Sequence, residues 1–126
     1  MSASVHIIGG PIREMPLAPA AGAGSSLSFR GIVRPFEEGK AITGLRYEAY
    51  RPMAENVLRQ LCEQAVLQFS LLSIELMHSE GFVPVGAVSL YVHMDSPHRA
   101  ESIQAMAWLI DALKRDVPIW KHPVLA

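Results

Sequence analysis

The fold of this chain is decided by residues 27–68, which read LSFRGIVRPFEEGKAITGLRYEAYRPMAENVLRQLCEQAVLQ. Every second position from Leu27 to Val33 is apolar or glycine, which is the period of a half-buried strand. Pro35 and residues 37–40 predict a turn, and residues 41–50 have the composition of a second strand. The sequence therefore predicts a hairpin made of strands 27–34 and 41–50.

The rest of this stretch has the period of a helix. Apolar residues recur every four positions at Met53, Val57, Leu61 and Ala65, and Pro52 suits the first turn of a helix. These features predict an amphipathic helix over about residues 52–68. Cys62 lies beside the apolar face and is interpreted as a small core residue.

Outward from this stretch, the pattern predicts three more strands and a second helix. The strands are expected at 3–9, 72–78 and 85–94, and residues 16–26 are expected to form a loop. Ser96 and Pro97 predict the start of a helix that runs to about Arg115. The element order predicts an α+β fold, with an antiparallel or mixed sheet and two main helices, in one domain over 1–126.

Composition excludes several classes of protein. The chain has 126 residues, of which 50% are hydrophobic and 18% charged, with a net charge of −1 and one cysteine. These values argue against a disordered chain, a general nucleic-acid binder and a disulfide framework. No apolar run approaches the roughly 20 residues that a membrane-spanning helix needs. No basic segment precedes the apolar residues near Met1, so we expect no signal peptide and a cytoplasmic location. The five histidines lack metal-ligand spacing, so we expect no metal and no cofactor.

The second helix carries the first chemical signal. At about 100° per residue, Arg99, Ile103, Met106, Ile110 and Lys114 share one stripe. A lysine on an apolar stripe is expected to be partly desolvated, which disfavours its charged form and suits a nucleophile or proton shuttle. The alternative is a lysine that snorkels in the last helical turn and complements the helix dipole.

The length of this helix limits how its ends can act together. Arg99 and Lys114 are fifteen residues apart, or about 22 Å along a straight helix. One copy of the helix cannot place both side chains on one small substrate. If both residues function, the site is shared between two subunits.

Six segments resemble a known family. They read FRGIVR at 29–34, LRYEAYRPMA at 45–54, HSEGFVPVG at 78–86, SPHR at 96–99, DALK at 111–114 and PIWK at 118–121. Taken in this order, they are similar to the motifs of the large, catalytic subunit of molybdopterin synthase. The resemblance implies an α/β hammerhead fold and a homodimer. It also implies a small ubiquitin-like (MoaD-like) partner whose C-terminal glycine thiocarboxylate donates sulfur to cyclic pyranopterin monophosphate, building the dithiolene of molybdopterin.

The resemblance also assigns roles to individual residues. Lys114 and Lys121 fall on the family's two active-site lysines. The positions that would bind substrate are Phe29, Arg34, His98, Arg99 and Ile110. No metal is implied for this step.

Some positions depart from the family pattern. Ser79 stands in place of an arginine, Ala87 in place of an acidic residue and Ile103 in place of a phenylalanine. Relatives continue past the PIWK motif with a tail that supplies an arginine to the neighbouring site, whereas this sequence ends at Ala126. We therefore expect weaker substrate binding than in longer relatives. Two alternatives stay open, namely a non-catalytic paralogue that acts as a binding module and an unrelated structural α+β dimer.

Overall fold

Two helices cover one face of a mixed β-sheet in the computed structural model, which describes residues 2–13 and 18–126. The elements in chain order are β1 (Ser2–Gly9), β2 (Ser25–Ile32), β3 (Phe36–Glu37), β4 (Lys40–Ala49), α1 (Met53–Phe69), β5 (Ser73–Pro84), β6 (Val88–Ser96), α2 (Arg99–Asp116) and β7 (Ile119–Leu125). Strands β2, β6, β5, β4 and β3 follow one another across the sheet. β1 runs parallel to β5, and β7 runs antiparallel to β4. This architecture confirms the predicted α+β fold with a mixed sheet and two main helices.

The main core lies between the helices and the sheet. Alternate residues of the central strands, such as Leu76 on β5 and Val92 on β6, point towards the helices and are fully buried. Leu58 and Cys62 of α1 and Leu109 of α2 meet them with no exposed surface. Cys62 is thus the core residue that the helical period predicts, and burial raises the pKa of its thiol to about 12.

Strand β5 bends at Gly81, where it changes neighbours. Residues 73–80 pair with β1, whereas residues 81–84 pair with the middle of β4. Gly81 has a φ of +85°, a conformation that side chains disfavour, so glycine suits this bend.

The predicted hairpin of strands 27–34 and 41–50 is wrong. β2 pairs with β6 along its whole length, and β4 pairs with β3, β5 and β7. The predicted turn is real, but it joins the two-residue strand β3 to β4. Alternation indicates which face of a strand is buried and carries no information about which strand lies beside it.

Several predicted boundaries also need correction. The strand expected at 72–78 is longer, since β5 runs from Ser73 to Pro84. The sequence indicated no strand after Pro118, yet residues 119–125 form β7. Ser96 does not cap α2, because it ends β6 and its hydroxyl donates to the His98 carbonyl oxygen at 2.6 Å. Of the predicted loop, residues 16 and 17 lie outside the described residues, and β2 already begins at Ser25.

Candidate active site

An open cleft of about 660 Å³ lies where β2, the end of α2 and β7 approach one another. Five of the seven residues predicted from the sequence line it, namely Phe29, Arg34, Ile110, Lys114 and Lys121. These residues come from β2, the segment after β2, α2 and β7. The fold thus gathers side chains that are up to 92 positions apart in the chain, counting from Phe29 to Lys121.

Arg34 lies in a short segment whose backbone is held from both sides. The Val33 N–H donates to the Ala87 carbonyl at 3.0 Å, and the Val33 carbonyl accepts from Gly86 N–H at 2.8 Å. The Pro35 carbonyl accepts from Ile42 N–H at 3.0 Å. Arg34 therefore projects its guanidinium from a fixed backbone, although it lies outside any strand.

Lys114 lies in the last turn of α2 and is exposed to solvent. The expectation that its stripe would desolvate it is wrong for the single chain. The buried face of α2 is centred on Ala105, Leu109 and Ala112, so the stripe from Arg99 to Lys114 follows the edge of that face. Ile103, on the same stripe, is 55% exposed.

Lys121 projects into the cleft from β7 and has an acidic partner. Its Nζ lies 2.9 Å from Oε1 of Glu37, whose side chain is only 15% exposed. Glu37 itself lines the cleft from the short strand β3. The sequence pattern around Glu37 predicted a turn and gave no indication of a site residue.

The inner wall of the cleft contains two more residues that sequence reasoning missed. The Tyr47 hydroxyl donates to Ser89 Oγ at 3.0 Å, and both residues line the cleft. The Tyr47 ring packs edge-on against His78, with 5.3 Å between ring centroids. Burial lowers the pKa of His78. The hydrogen bond that its ring donates to the Ser79 carbonyl oxygen at 2.8 Å acts in the opposite direction and partly offsets this shift. Tyr47 belongs to the LRYEAYRPMA motif, and that motif is the sequence signal by which it could have been predicted as a site residue.

His98 and Arg99 lie at the opposite end of α2 and outside the cleft. Both side chains are exposed, and His98 Nδ1 lies 3.8 Å from Glu101 Oε2. The fifteen residues that separate Arg99 from Lys114 span about 22 Å of helix. Within one chain, the structure does not bring these two predicted binding residues to the lysines.

The cleft suits anionic ligands. Among the described residues, its lining carries the cations Arg34, Lys114 and Lys121 and the one carboxylate of Glu37. Phe29 and Ile110 add an apolar wall against which a planar ring can pack. Over residues 2–13 and 18–126, no three or more His, Cys, Asp or Glu side chains are grouped so that they could hold a metal ion. In the same residues, neither helix is long and apolar enough to cross a membrane.

Comparison with known proteins gives one consistent family. Residues 11–116 match the family model described as MoaE protein. The chain is 39% identical over 115 residues to a molybdopterin synthase catalytic subunit of Rattus norvegicus, covering 91% of this chain and 56% of that protein. It is 35% identical over 103 residues to the subunit of the same name from Thermoplasma volcanium, covering 82% and 75%. The crystal structure of molybdopterin synthase from Staphylococcus aureus superimposes with a TM-score of 0.85 at 27% identity, covering 95% of this chain and 90% of that one.

Proposed function

The chain belongs to the MoaE protein family, and from that premise we propose that it is the sulfur-transferring subunit of a molybdopterin synthase. Its substrate is cyclic pyranopterin monophosphate. The sulfur donor is the C-terminal thiocarboxylate of a small ubiquitin-like subunit, and two transfers form the dithiolene of molybdopterin. The location is the cytoplasm. The chain spans 56% of the length of the rat relative. The activity is therefore proposed from the residues of this chain's own cleft and is not transferred from that relative.

The observation that carries this proposal is the convergence of Lys114 and Lys121 in one cleft with Arg34. The reaction replaces carbon–oxygen bonds with carbon–sulfur bonds, so it requires proton transfer beside an anionic substrate. Lys114 acts as nucleophile or general acid/base, because an amine can gain and lose a proton. Lys121 assists Lys114 or binds the thiocarboxylate end of the partner.

The remaining cleft residues bind the substrate. Arg34 holds the phosphate through charge-assisted hydrogen bonds, to which a guanidinium is well suited. Phe29 and Ile110 pack against the pterin ring. His98 and Arg99 contribute to the cleft of a second copy in a homodimer, because the length of α2 prevents them from reaching the lysines of their own chain.

The test is sulfur transfer in vitro with a thiocarboxylated partner and the cyclic precursor. Lys114→Ala should abolish transfer and leave the melting temperature unchanged, because the side chain is exposed. Arg115→Ala is the matched control, since Arg115 is the next residue, is exposed and does not line the cleft. Turnover by Lys114→Ala at the wild-type rate would remove Lys114 from the mechanism. A wild-type protein that binds the partner without turnover would instead be the non-catalytic binding module.

A further inference from the structure

Of the described residues that line the cleft, Glu37 is the one carboxylate beside its cations. Its Oε1 lies 2.9 Å from Lys121 Nζ, and its side chain is 15% exposed whereas that of Lys121 is 52% exposed. Arg34 and Lys114 line the same cleft without an ion pair to any described residue. Within the described part of the chain, Lys121 is therefore the cleft cation that has a counter-ion.

The backbone under Glu37 is well fixed. Glu37 pairs with Lys40 across a two-residue turn formed by Glu38 and Gly39, which have φ values of +51° and +77°. Positive φ at both central positions is typical of the tight type I′ hairpin turn. The hairpin keeps Glu37 beside Lys121, while rotation about the side-chain bonds of Glu37 can move the carboxylate away.

An anionic group that binds Lys121 must therefore share this cation with Glu37 or displace it. Like charges this close repel each other, and the repulsion is stronger in a partly buried cleft than in water. We propose that Glu37 is a displaceable counter-ion of Lys121 that competes with a terminal carboxylate-type anion of the ligand and thereby lowers its affinity. This inference rests on the proposed function, in which the spent partner leaves the cleft with a C-terminal carboxylate. Competition by Glu37 would promote that release.

The experiment is a thermodynamic cycle that measures coupling between Glu37 and the ligand anion. Peptides ending in Gly-Gly, one with a free C-terminal carboxylate and one with a C-terminal amide, are titrated into wild type and Glu37→Gln by calorimetry. The free-carboxylate peptide should bind Glu37→Gln about tenfold more tightly than wild type, the size of one charge-assisted contact. The amidated peptide should show less than about a twofold difference, because it has no anion to compete.

Two control variants distinguish the direct contact between Glu37 and Lys121 from an effect of the protein's total charge. Glu38→Gln removes the same charge from the neighbouring exposed residue, which does not line the cleft, and should leave both affinities near those of wild type. In a Lys121→Gln background, Glu37→Gln should lose its effect, because the shared cation is gone. Circular dichroism confirms that each variant is folded.

Pyrophosphate is titrated as a second anion, to distinguish a phosphate source from a carboxylate source. A gain confined to the free-carboxylate peptide supports the proposal, whereas a gain confined to pyrophosphate overturns the assignment to a carboxylate. Weaker or unchanged peptide binding in Glu37→Gln, or no peptide binding to any variant, also overturns it. Sulfur transfer is measured separately on the same wild-type protein. If Glu37→Gln tightens peptide binding as expected but the wild-type protein transfers no sulfur, the proposed function is refuted and the inference about Glu37 stands. If the wild-type protein transfers sulfur but Glu37→Gln does not tighten peptide binding, the inference is refuted and the proposed function stands.

Discussion

Complementation between two inactive variants tests whether the site is shared by two subunits. The perturbations are Arg99→Ala and Lys114→Ala, at opposite ends of α2. Each variant alone should be inactive or severely impaired in sulfur transfer, because every cleft in its dimer lacks one of the two cations. A heterodimer carries one variant on each chain, and its two clefts are then unequal.

The expected magnitude follows from the geometry of α2. About 22 Å separates the two residues, so one chain cannot place both in a cleft, and in the proposed homodimer each cleft would combine Lys114 of one chain with Arg99 of the other. In the heterodimer, one cleft has both residues intact and the other lacks both. Turnover per dimer should therefore be about half that of wild type, as expected for two independent sites related by two-fold symmetry.

The assay uses heterodimers purified through two different affinity tags and measures product formation per dimer. The matched control combines Lys114→Ala with Lys121→Ala. Those two lysines line the same cleft of one chain, so each cleft of this heterodimer lacks one lysine and should stay inactive. Inactivity of the Arg99/Lys114 heterodimer would refute the shared site. Recovery in the Lys114/Lys121 heterodimer would show that the two lysines act from different subunits.

Three further predictions concern stability and reactivity. Burial lowers the pKa of His78 below its usual 6.5, so the unfolded chain binds the proton more tightly. The free energy of unfolding should thus fall as the pH drops below about 6.5, and acid titration of His78→Phe should show a flatter profile there. Alkylation of Cys62 at pH 8, followed by mass spectrometry, should be at least about a hundredfold slower in the native protein than in urea, since its thiol pKa is raised to about 12. Gly44→Ala should lower the free energy of unfolding in urea by about 1–3 kcal/mol, because the added Cβ would lie 2.5 Å from the Val83 carbonyl oxygen. A wild-type pH profile for His78→Phe, equal alkylation rates or an unchanged urea midpoint would contradict the respective prediction.

The helices could be predicted from the sequence because their signal is local. The apolar spacing from Met53 to Ala65 predicts helix 52–68, and the structure has α1 at Met53–Phe69. The exact buried set differs, since Ala54 is buried while Met53 is 51% exposed. Periodicity thus locates a helix and its apolar side, and contacts with the sheet decide where the buried face ends.

Strand neighbours were not predictable in the same way. β2 and β6 pair across 56 to 71 positions of the chain, and the alternation in β2 indicates only that one of its faces is buried. β7 was missed because the sequence interpretation ended at Pro118, which closes α2, and assigned no element to the residues after it. In the structure β7 has its neighbour, β4, on one side, and an edge strand tolerates proline where its N–H would face outward. The missed strand matters for function, because it carries Lys121.

The exposure of Lys114 limits how its amine could be made reactive for sulfur transfer. The sequence left two interpretations open for this lysine, and the structure contradicts desolvation by its own helix, because α2 and the sheet leave the side chain exposed. Phe29 and Ile110 line the same cleft and provide an apolar wall that is open on one side. If the chemistry requires exclusion of water from Lys114, the bound ligand or a second copy of the chain would have to provide it. In the proposed homodimer the second copy would also bring Arg99 to the cleft, so the proposal predicts a site that is completed only on assembly.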